Sequence, residues 1–251
     1  MNSEGYSILP LEVGEQILGI IYLDHNIIQK EDIELLQIFA NQAAVSIQNA
    51  RLYEMATIDK LTGVYVRRFF DQLFQREIRS SFRLKQPLIL LLIDMDGFKS
   101  INDKAGHIVG DHALAIMGQV LKKATRISDV VARYGGDEFV VLLPQTPPVY
   151  VRVVLNRIME ILEDKTVDGP EGPISLRCSI GVSGASIQNF KQDNIPRPLP
   201  QGYYEIMAKN MFKKADEMLY LAKKNPKEKV QIGSNVSWPE FNSDKEEVVK
   251  P

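Results

Sequence analysis

Cysteine is nearly missing from this chain: Cys178 is the only one, so no internal disulfide can form, and its place in an apolar run marks it as a small core hydrophobe. Histidine is scarce, and His107, between a Gly and an apolar pair, reads as structural rather than as a ligand or base. Long apolar runs are absent as well. The longest, Leu88 to Ile93, is far short of the ~20 residues of a membrane span, and no early stretch has the order of a signal peptide. Neither sign of charge dominates: 30 Lys and Arg against 32 Asp and Glu leave a net charge of -2. That balance argues against a broad basic surface for nucleic acid, so any phosphate ligand must be met by local cations. The expectation is a cytoplasmic protein without direct membrane contact. Its 251 residues, 45% hydrophobic, allow one large domain or a typical domain with an appendage.

What is present begins with a strand, Ile17 to Asp24, and a helix opened by Lys30-Glu31-Asp32, where acidic residues suit the macrodipole. Ile33, Leu36, Ala40, Ala43, Ile47 and Ala50 alternate steps of three and four, the spacing of a coiled-coil seam. A dimer-forming seam is expected; the alternative is a helix face packed on its own domain. Asp59 to Phe70 is a turn leading into an amphipathic helix that runs to about Lys85, with Pro87 ending it. Leu88 to Ile93 has the composition of a strand buried on both faces, and it leads into Asp94-Met95-Asp96-Gly97-Phe98-Lys99. A carboxylate at the end of a buried strand, followed by Gly and a helix start, suits a metal-phosphate site. Asp94 is assigned to the metal and Asp96 to capping the helix.

Ser100 to Asp111 is polar and turn-rich, and helix periodicity resumes from His112 to about Thr125. Asn102 and Asp111 form a candidate base-reading pair. A carboxylate can accept from guanine N1–H and N2–H₂ together, whereas adenine offers an acceptor at N1. Taken alone, each reads sooner as a turn or cap residue. Arg133 to Pro144 comprises two β-prone runs joined through Gly135-Gly136, with Asp137 and Glu138 beside them; glycines at a hairpin tip let a ligand approach closely. A helix over Tyr150 to Leu162, a strand over Ile174 to Ser183 and a polar surface insertion over Ser186 to Gln201 follow. The last helix, Tyr203 to Lys224, gathers Lys223, Lys224 and Lys227 at its end, and a polar tail from Val230 holds the only tryptophan, Trp238, with no assigned role.

Two resemblances emerge. The stretch LGIIYLD followed by EDIELLQIFANQAAVSIQNARLYE resembles the last strands and final helix of a GAF sensory domain. Asp94, Asn102-Asp103, Gly106-His107, Gly110-Asp111 and Arg133 to Phe139, in that order, resemble the GGDEF domain of diguanylate cyclases. DKLTG, CSIGVS and ADEMLYLAK extend the likeness from about Ile58 to Lys229. The fold this implies is α+β, a central mostly antiparallel sheet flanked by helices, similar to nucleotidyl cyclases and polymerase palms. The expected organisation is a partial GAF-like region over 1–30, a helical linker over 31–57, the GGDEF domain over 58–229 and a tail over 230–251.

The resemblance implies condensation of two GTP into cyclic di-GMP with release of two pyrophosphates. Carried over by position, Asp94, Asp137 and the Met95 carbonyl would hold Mg²⁺, with Mn²⁺ as the alternative. Glu138 would hold a second ion or help deprotonate the 3′-hydroxyl. Backbone N–H groups of Gly97, Phe98 and Lys99 would cradle phosphates, Gly135 and Gly136 would leave room for GTP, and Asn102 and Asp111 would read guanine. Lys223 would neutralise the distal phosphates, joined by Lys227, which stands where the family usually has Arg. Lys keeps the charge and loses the bidentate fork. Arg126 and Asp129 match the RxxD site at which such enzymes bind their product, with Arg157 as the secondary arginine, although a solvated i, i+3 pair has the same spelling. Each domain offers one GTP half-site, so a homodimer is implied. The rivals are a catalytically silent cyclic di-GMP receptor and a sensory scaffold.

Overall fold

A computed structural model describes residues 6–24, 30–185, 199, 202–238, 240–242 and 247–249. The chain divides into two compact units, residues 1–57 and 58–251. In the first, Gly14 takes a φ of 61°, open to glycine without steric cost, and reverses the chain between strands β1 (Tyr6–Val13) and β2 (Gln16–Asp24). Helix α1 (Lys30–Thr57) packs on this hairpin, with Leu9, Ala40 and Ala44 buried. Small alanines permit that close approach. Ala40 of the expected seam is therefore used inside the unit, while Ile33 and Ile47 stay exposed. Leu35, Ile38, Phe39, Val45 and Leu52 are exposed too, so the apolar surface that α1 leaves uncovered is not confined to the seam the sequence suggests.

The second unit runs β3 (Tyr65–Val66), α2 (Arg67–Leu84), β4 (Leu88–Met95), α3 (Phe98–Ala105), α4 (His107–Ala124), β5 (Val130–Arg133), β6 (Glu138–Pro144) and α5 (Pro148–Glu163). It continues with β7 (Thr166–Gly169), β8 (Gly172–Ser175), β9 (Cys178–Ala185), α6 (Tyr203–Lys224), β10 (Val230–Ile232), β11 (Glu240–Asn242) and β12 (Glu247–Val249). The main sheet has the order β10-β9-β4-β6-β5-β3. Its three central pairings are antiparallel and its two edge pairings parallel, so the sheet is mixed.

Every residue of β4 is buried, as its unbroken apolar run demands, and alternation sends its side chains into two cores. Ile89, Leu91, Ile93 and Met95 face Ile101 of α3, Leu114, Met117 and Leu121 of α4, and Leu155 and Ile158 of α5. Leu88, Leu90 and Leu92 face Phe70, Phe74 and Ile78 of α2 and Met211, Ala215 and Leu219 of α6. Each such buried side chain contributes roughly 2 kcal/mol. Gly181 of β9 lets α6 approach, because a Cβ there would collide with the backbone of Ala215 and Leu219.

Three sequence expectations change. The turn-rich stretch from Ser100 is mostly helical: α3 fills it, Gly106 at φ 85° breaks the helix, and α4 starts at His107 rather than His112. The strand expected over Ile174 to Ser183 is two strands, since β8 pairs with β7 in a separate ribbon and β9 with β4. Val230, read as the start of a tail, begins the parallel edge strand β10. Trp238 beyond it is buried against Phe82, at 5.1 Å between rings. The insertion expected over Ser186 to Gln201 lies outside the described residues apart from Leu199.

Candidate active site

Alternation along β4 puts Asp94 on the same face as Leu88, Leu90 and Leu92, at the strand's exit, under α6. Its neighbours in register are Glu138 on β6 and Ser179 on β9. The Met95 N–H donates to the Asp137 carbonyl at 3.2 Å, so both hairpin carboxylates belong to residues anchored beside the strand end. From α6, the Lys223 ammonium donates to Asp94 Oδ2 at 2.7 Å. Burial pushes the Asp94 carboxyl above its ordinary range; Lys223 opposes this, and the charges of Asp137 and Asp96 add to the rise.

The two glycines of the hairpin have different tasks. A Cβ on Gly135 would lie 2.6 Å from Glu138 Oε2, so its absence lets the Glu138 carboxylate fold back on the tip. Gly136 has nothing within 4 Å of where a Cβ would be and leaves open space. Arg133 holds the tip: its Nε and Nη2 donate to the Gly136 carbonyl at 3.0 and 2.8 Å, and its Nη1 reaches Asp59 at 3.4 Å. Asp59 also accepts from the Thr62 N–H at 2.9 Å and hydroxyl at 2.7 Å. Burial works against the Asp59 charge, but these hydrogen bonds and the Arg133 guanidinium outweigh it and hold the carboxyl below its ordinary range. The Arg67 guanidinium lies over the Tyr134 ring at 4.1 Å. Sequence reasoning assigned Arg133 and Asp59 no role, although Asp at i and Thr at i+3 is the spelling of such a turn.

Glycine, not Asp96, caps α3. Gly97 takes φ 71° at the N-cap with no side-chain cap bond. The Asp96 N–H still pairs with the Arg177 carbonyl at 2.9 Å, which turns the carboxylate back to the sheet. There it accepts from the Ser179 hydroxyl at 2.7 Å and pairs with Lys229 at 3.2 Å. Lys229 was not foreseen. The expected phosphate donors, the N–H groups of Gly97, Phe98 and Lys99, stand at the α3 N-terminus, whose first-turn N–H groups have no intrahelical acceptor.

Asn102 lies against Gly110, the residue before Asp111. A Cβ on that helical glycine would collide with Asn102 Oδ1, so the Asn102 side chain lies against the first turn of α4, next to Asp111. Arg126 and Asp129 form the turn after α4, where the Arg126 N–H donates to Asp129 Oδ2 at 2.8 Å. Both line a cavity of about 360 Å³ with Lys122, Thr125, Ile127 and Tyr65. Arg157 is outside that lining, its Nη1 reaching the Ala124 carbonyl at 3.4 Å. Lys227 joins neither strand-end carboxylate; its N–H donates to Asn225 Oδ1 at 3.1 Å. Cys178 is fully buried, and burial pushes its thiol up to about 12, which leaves it an inert core residue.

Among the described residues, no three acidic, His or Cys side chains converge on one metal-sized point. The donor set nonetheless suits a hard cation: carboxylate oxygens at a strand end, one of which already holds a cationic group at 2.7 Å. Asp94, Asp137 and Glu138 are of the donor type a divalent ion takes, and side-chain rotation would have to bring their oxygens to a common point.

A mixed sheet between two helical layers, with carboxylates at one strand end, an open glycine hairpin and a helix N-terminus alongside, defines an α+β domain with a polar site at the exit of its central strand. The chain belongs to the GGDEF family: the family model described as diguanylate cyclase, GGDEF domain matches residues 56–197, and a GAF domain model matches residues 1–47. It is 32% identical over 235 residues to Diguanylate cyclase A of Treponema denticola, covering 90% of this chain and 59% of that protein. It is 36% identical over 185 residues to the probable diguanylate cyclase DgcC of Escherichia coli, covering 73% of this chain and 45% of the relative. The chain thus spans about half the length of these curated relatives. Among solved structures, diguanylate cyclase SiaD of Pseudomonas aeruginosa, in complex with its activator SiaC, matches with a TM-score of 0.62 at 25% identity over 81% of this chain and 72% of that one. The coiled coil and GGDEF domain of DgcB from Caulobacter crescentus, in complex with c-di-GMP, shares the fold with a TM-score of 0.66 at 20% identity over 82% of this chain and all of that one. Among the described residues, no helix is long and apolar enough to cross a membrane.

Proposed function

We propose that this chain is a diguanylate cyclase, condensing two GTP into cyclic di-GMP across a homodimer. The observation that carries the reading is Asp94 at the end of a buried strand, in register with Glu138 and beside Asp137, with Lys223 reaching the same carboxylate. In each of two equivalent steps a 3′-oxygen loses its proton and forms a bond to the α-phosphorus of the other GTP, and the bond to pyrophosphate breaks. Asp94, Asp137, Glu138 and the Met95 carbonyl would hold Mg²⁺, or Mn²⁺, which supplies neutralisation of the charge shared by two anionic reactants.

The chain's own groups do the positioning. The free N–H groups at Gly97, Phe98 and Lys99 receive phosphate oxygens, and Gly136 leaves the tip clear. Asn102, packed on Gly110, and Asp111, the next residue, would donate and accept at the guanine edge, so GTP is preferred to ATP. Glu138, folded against Gly135, serves either a second ion or the departing 3′-hydroxyl proton. The cavity at Arg126 and Asp129 supports product inhibition: the guanidinium offers phosphate a bidentate fork, and the carboxylate can accept from guanine.

Incubation with GTP and Mg²⁺, followed by detection of cyclic di-GMP and pyrophosphate, tests the proposal. Product from the parent chain and none from Asp137→Ala is expected. No product from a demonstrably dimeric sample would sink the cyclase and leave the silent receptor, whose binding of cyclic di-GMP would then be lost in Arg126→Ala.

A further inference from the structure

Lys223 and a divalent ion compete for the Asp94 carboxylate. The ammonium donates directly to Oδ2 at 2.7 Å, and an ion such as Mg²⁺ needs its carboxylate oxygen at about 2.0–2.1 Å. Two cations on one carboxylate repel each other at close range, so the ammonium on Oδ2 weakens an ion's hold on either oxygen. Among the described residues Asp94 has no other cationic partner. Nor can a neighbour replace Lys223: Lys224 lies 4.2 Å from the centre of the Tyr220 ring, and Lys229 is paired with Asp96. The remaining acidic groups of the strand end do not converge with Asp94, so what holds that carboxylate is a lysine.

We propose that Lys223 is a latch with two positions. It rests on Asp94 until a nucleotide triphosphate draws the ammonium away, so the metal enters with the nucleotide and binds poorly before it. This rests on the cyclase reading, because it requires a triphosphate beside the Asp94 carboxylate. The geometry allows the exchange. Lys223 occupies the last turn of α6, its side chain is 43% exposed, and its flexible four-carbon stem lets the ammonium leave Asp94 without moving the helix. Ala222 and Leu219 anchor that helix end in the core. The latch also keeps a buried carboxylate from being left without a countercharge, a costly state, whenever substrate is absent.

The test is a titration of the whole chain with MnCl₂, followed by the loss of the free-ion paramagnetic resonance signal. It is run without nucleotide and with a GTP analogue whose α,β-bridging oxygen is a methylene. For the parent chain, weak Mn²⁺ binding alone and much tighter binding with the analogue are expected. Lys223→Gln removes the latch charge and should bind Mn²⁺ alone about tenfold more tightly than the parent, with a smaller further gain from the analogue. Lys223→Arg keeps the charge and should remain near the parent value. Lys223→Gln binding Mn²⁺ alone no more tightly than the parent would overturn the latch, as would Lys223→Arg matching Lys223→Gln. Cyclic di-GMP formation by the parent chain is a separate measurement, so its failure and that of the latch are distinguishable.

Discussion

Gly110→Ala separates base reading from stability. The added methyl would collide with Asn102 Oδ1, stand 3.0 Å from its Cγ and 3.4 Å from Phe98 Cζ. These are side-chain atoms, so Asn102 can rotate away, at roughly 0.5–1.5 kcal/mol for leaving its rotamer. Against that, alanine inside a helix is favoured over glycine by about 1 kcal/mol. The two effects nearly cancel, and the urea midpoint should change by no more than an equivalent of about 1 kcal/mol. The functional effect does not cancel. If Asn102 reads the base, displacing it from Gly110 loses one or two hydrogen bonds to guanine, ~1.5–3 kcal/mol or about 10- to 150-fold in kcat/KM for GTP. Initial rates of pyrophosphate release over a range of GTP concentrations would measure this. A kcat/KM within twofold of the parent, with the midpoint unchanged, would refute the assignment of Asn102 to the base. A loss of stability beyond about 2 kcal/mol would instead show that Asn102 is pinned and cannot rotate.

Other substitutions probe the framework. Gly181→Ala places a methyl 2.7 Å from the Leu219 Cα and into the α6 backbone, which has no rotamer to escape by, so urea unfolding should show a loss of about 3 kcal/mol. Asp59→Asn tests the depressed carboxyl: because its folded value lies below the ordinary 3.8, Asp59 contributes stability above that pH and loses it as pH falls through the folded value. The stability gap between parent and variant should therefore be full at pH 6 and close below about pH 3.8, as followed by urea midpoints across that range. Lys229→Ala uncovers the Asp96 charge next to the α3 N-terminus and should raise KM for GTP several-fold with kcat unchanged; Lys229→Arg should restore it.

The central strands were legible because burial on both faces leaves an unbroken apolar run, as in Leu88 to Ile93, and Asp94 stands out as the charge that ends it. The helix that Pro87 follows was equally plain, since it ends at Leu84 with Lys85 in a left-handed turn. The region from Gly106 to Asp111 was not legible. Its two glycines look alike in sequence, yet Gly106 breaks a helix at φ 85° while Gly110 sits inside one to admit a side chain from α3. Asp96 misled for a related reason: Asp before a helix is the spelling of a cap, but a backbone bond to Arg177 turns this residue toward the sheet. Lys229 could not be foreseen, because its partner comes from the far end of the domain sequence. In α1, periodicity showed an apolar stripe but not which covering it would take, and Ala40 is taken by the hairpin of its own unit.

The turn Asp59–Thr62 ties the fixed parts of the site together. Gly118 has no Cβ because the Thr62 carbonyl occupies its place, so the turn is docked directly on α4, the helix that begins with Asp111 in its second turn. On its other side Asp59 meets Arg133, whose remaining N–H groups hold the hairpin tip through Gly136. A lysine at Arg133 could make one of these contacts but not the fork that makes all three. Helix α4, turn and hairpin therefore form one framework, and Lys223, from the end of α6, meets Asp94 on the neighbouring strand β4. Stiff carboxylates with a movable cation are what a site needs if it is to stay closed to metal until substrate arrives.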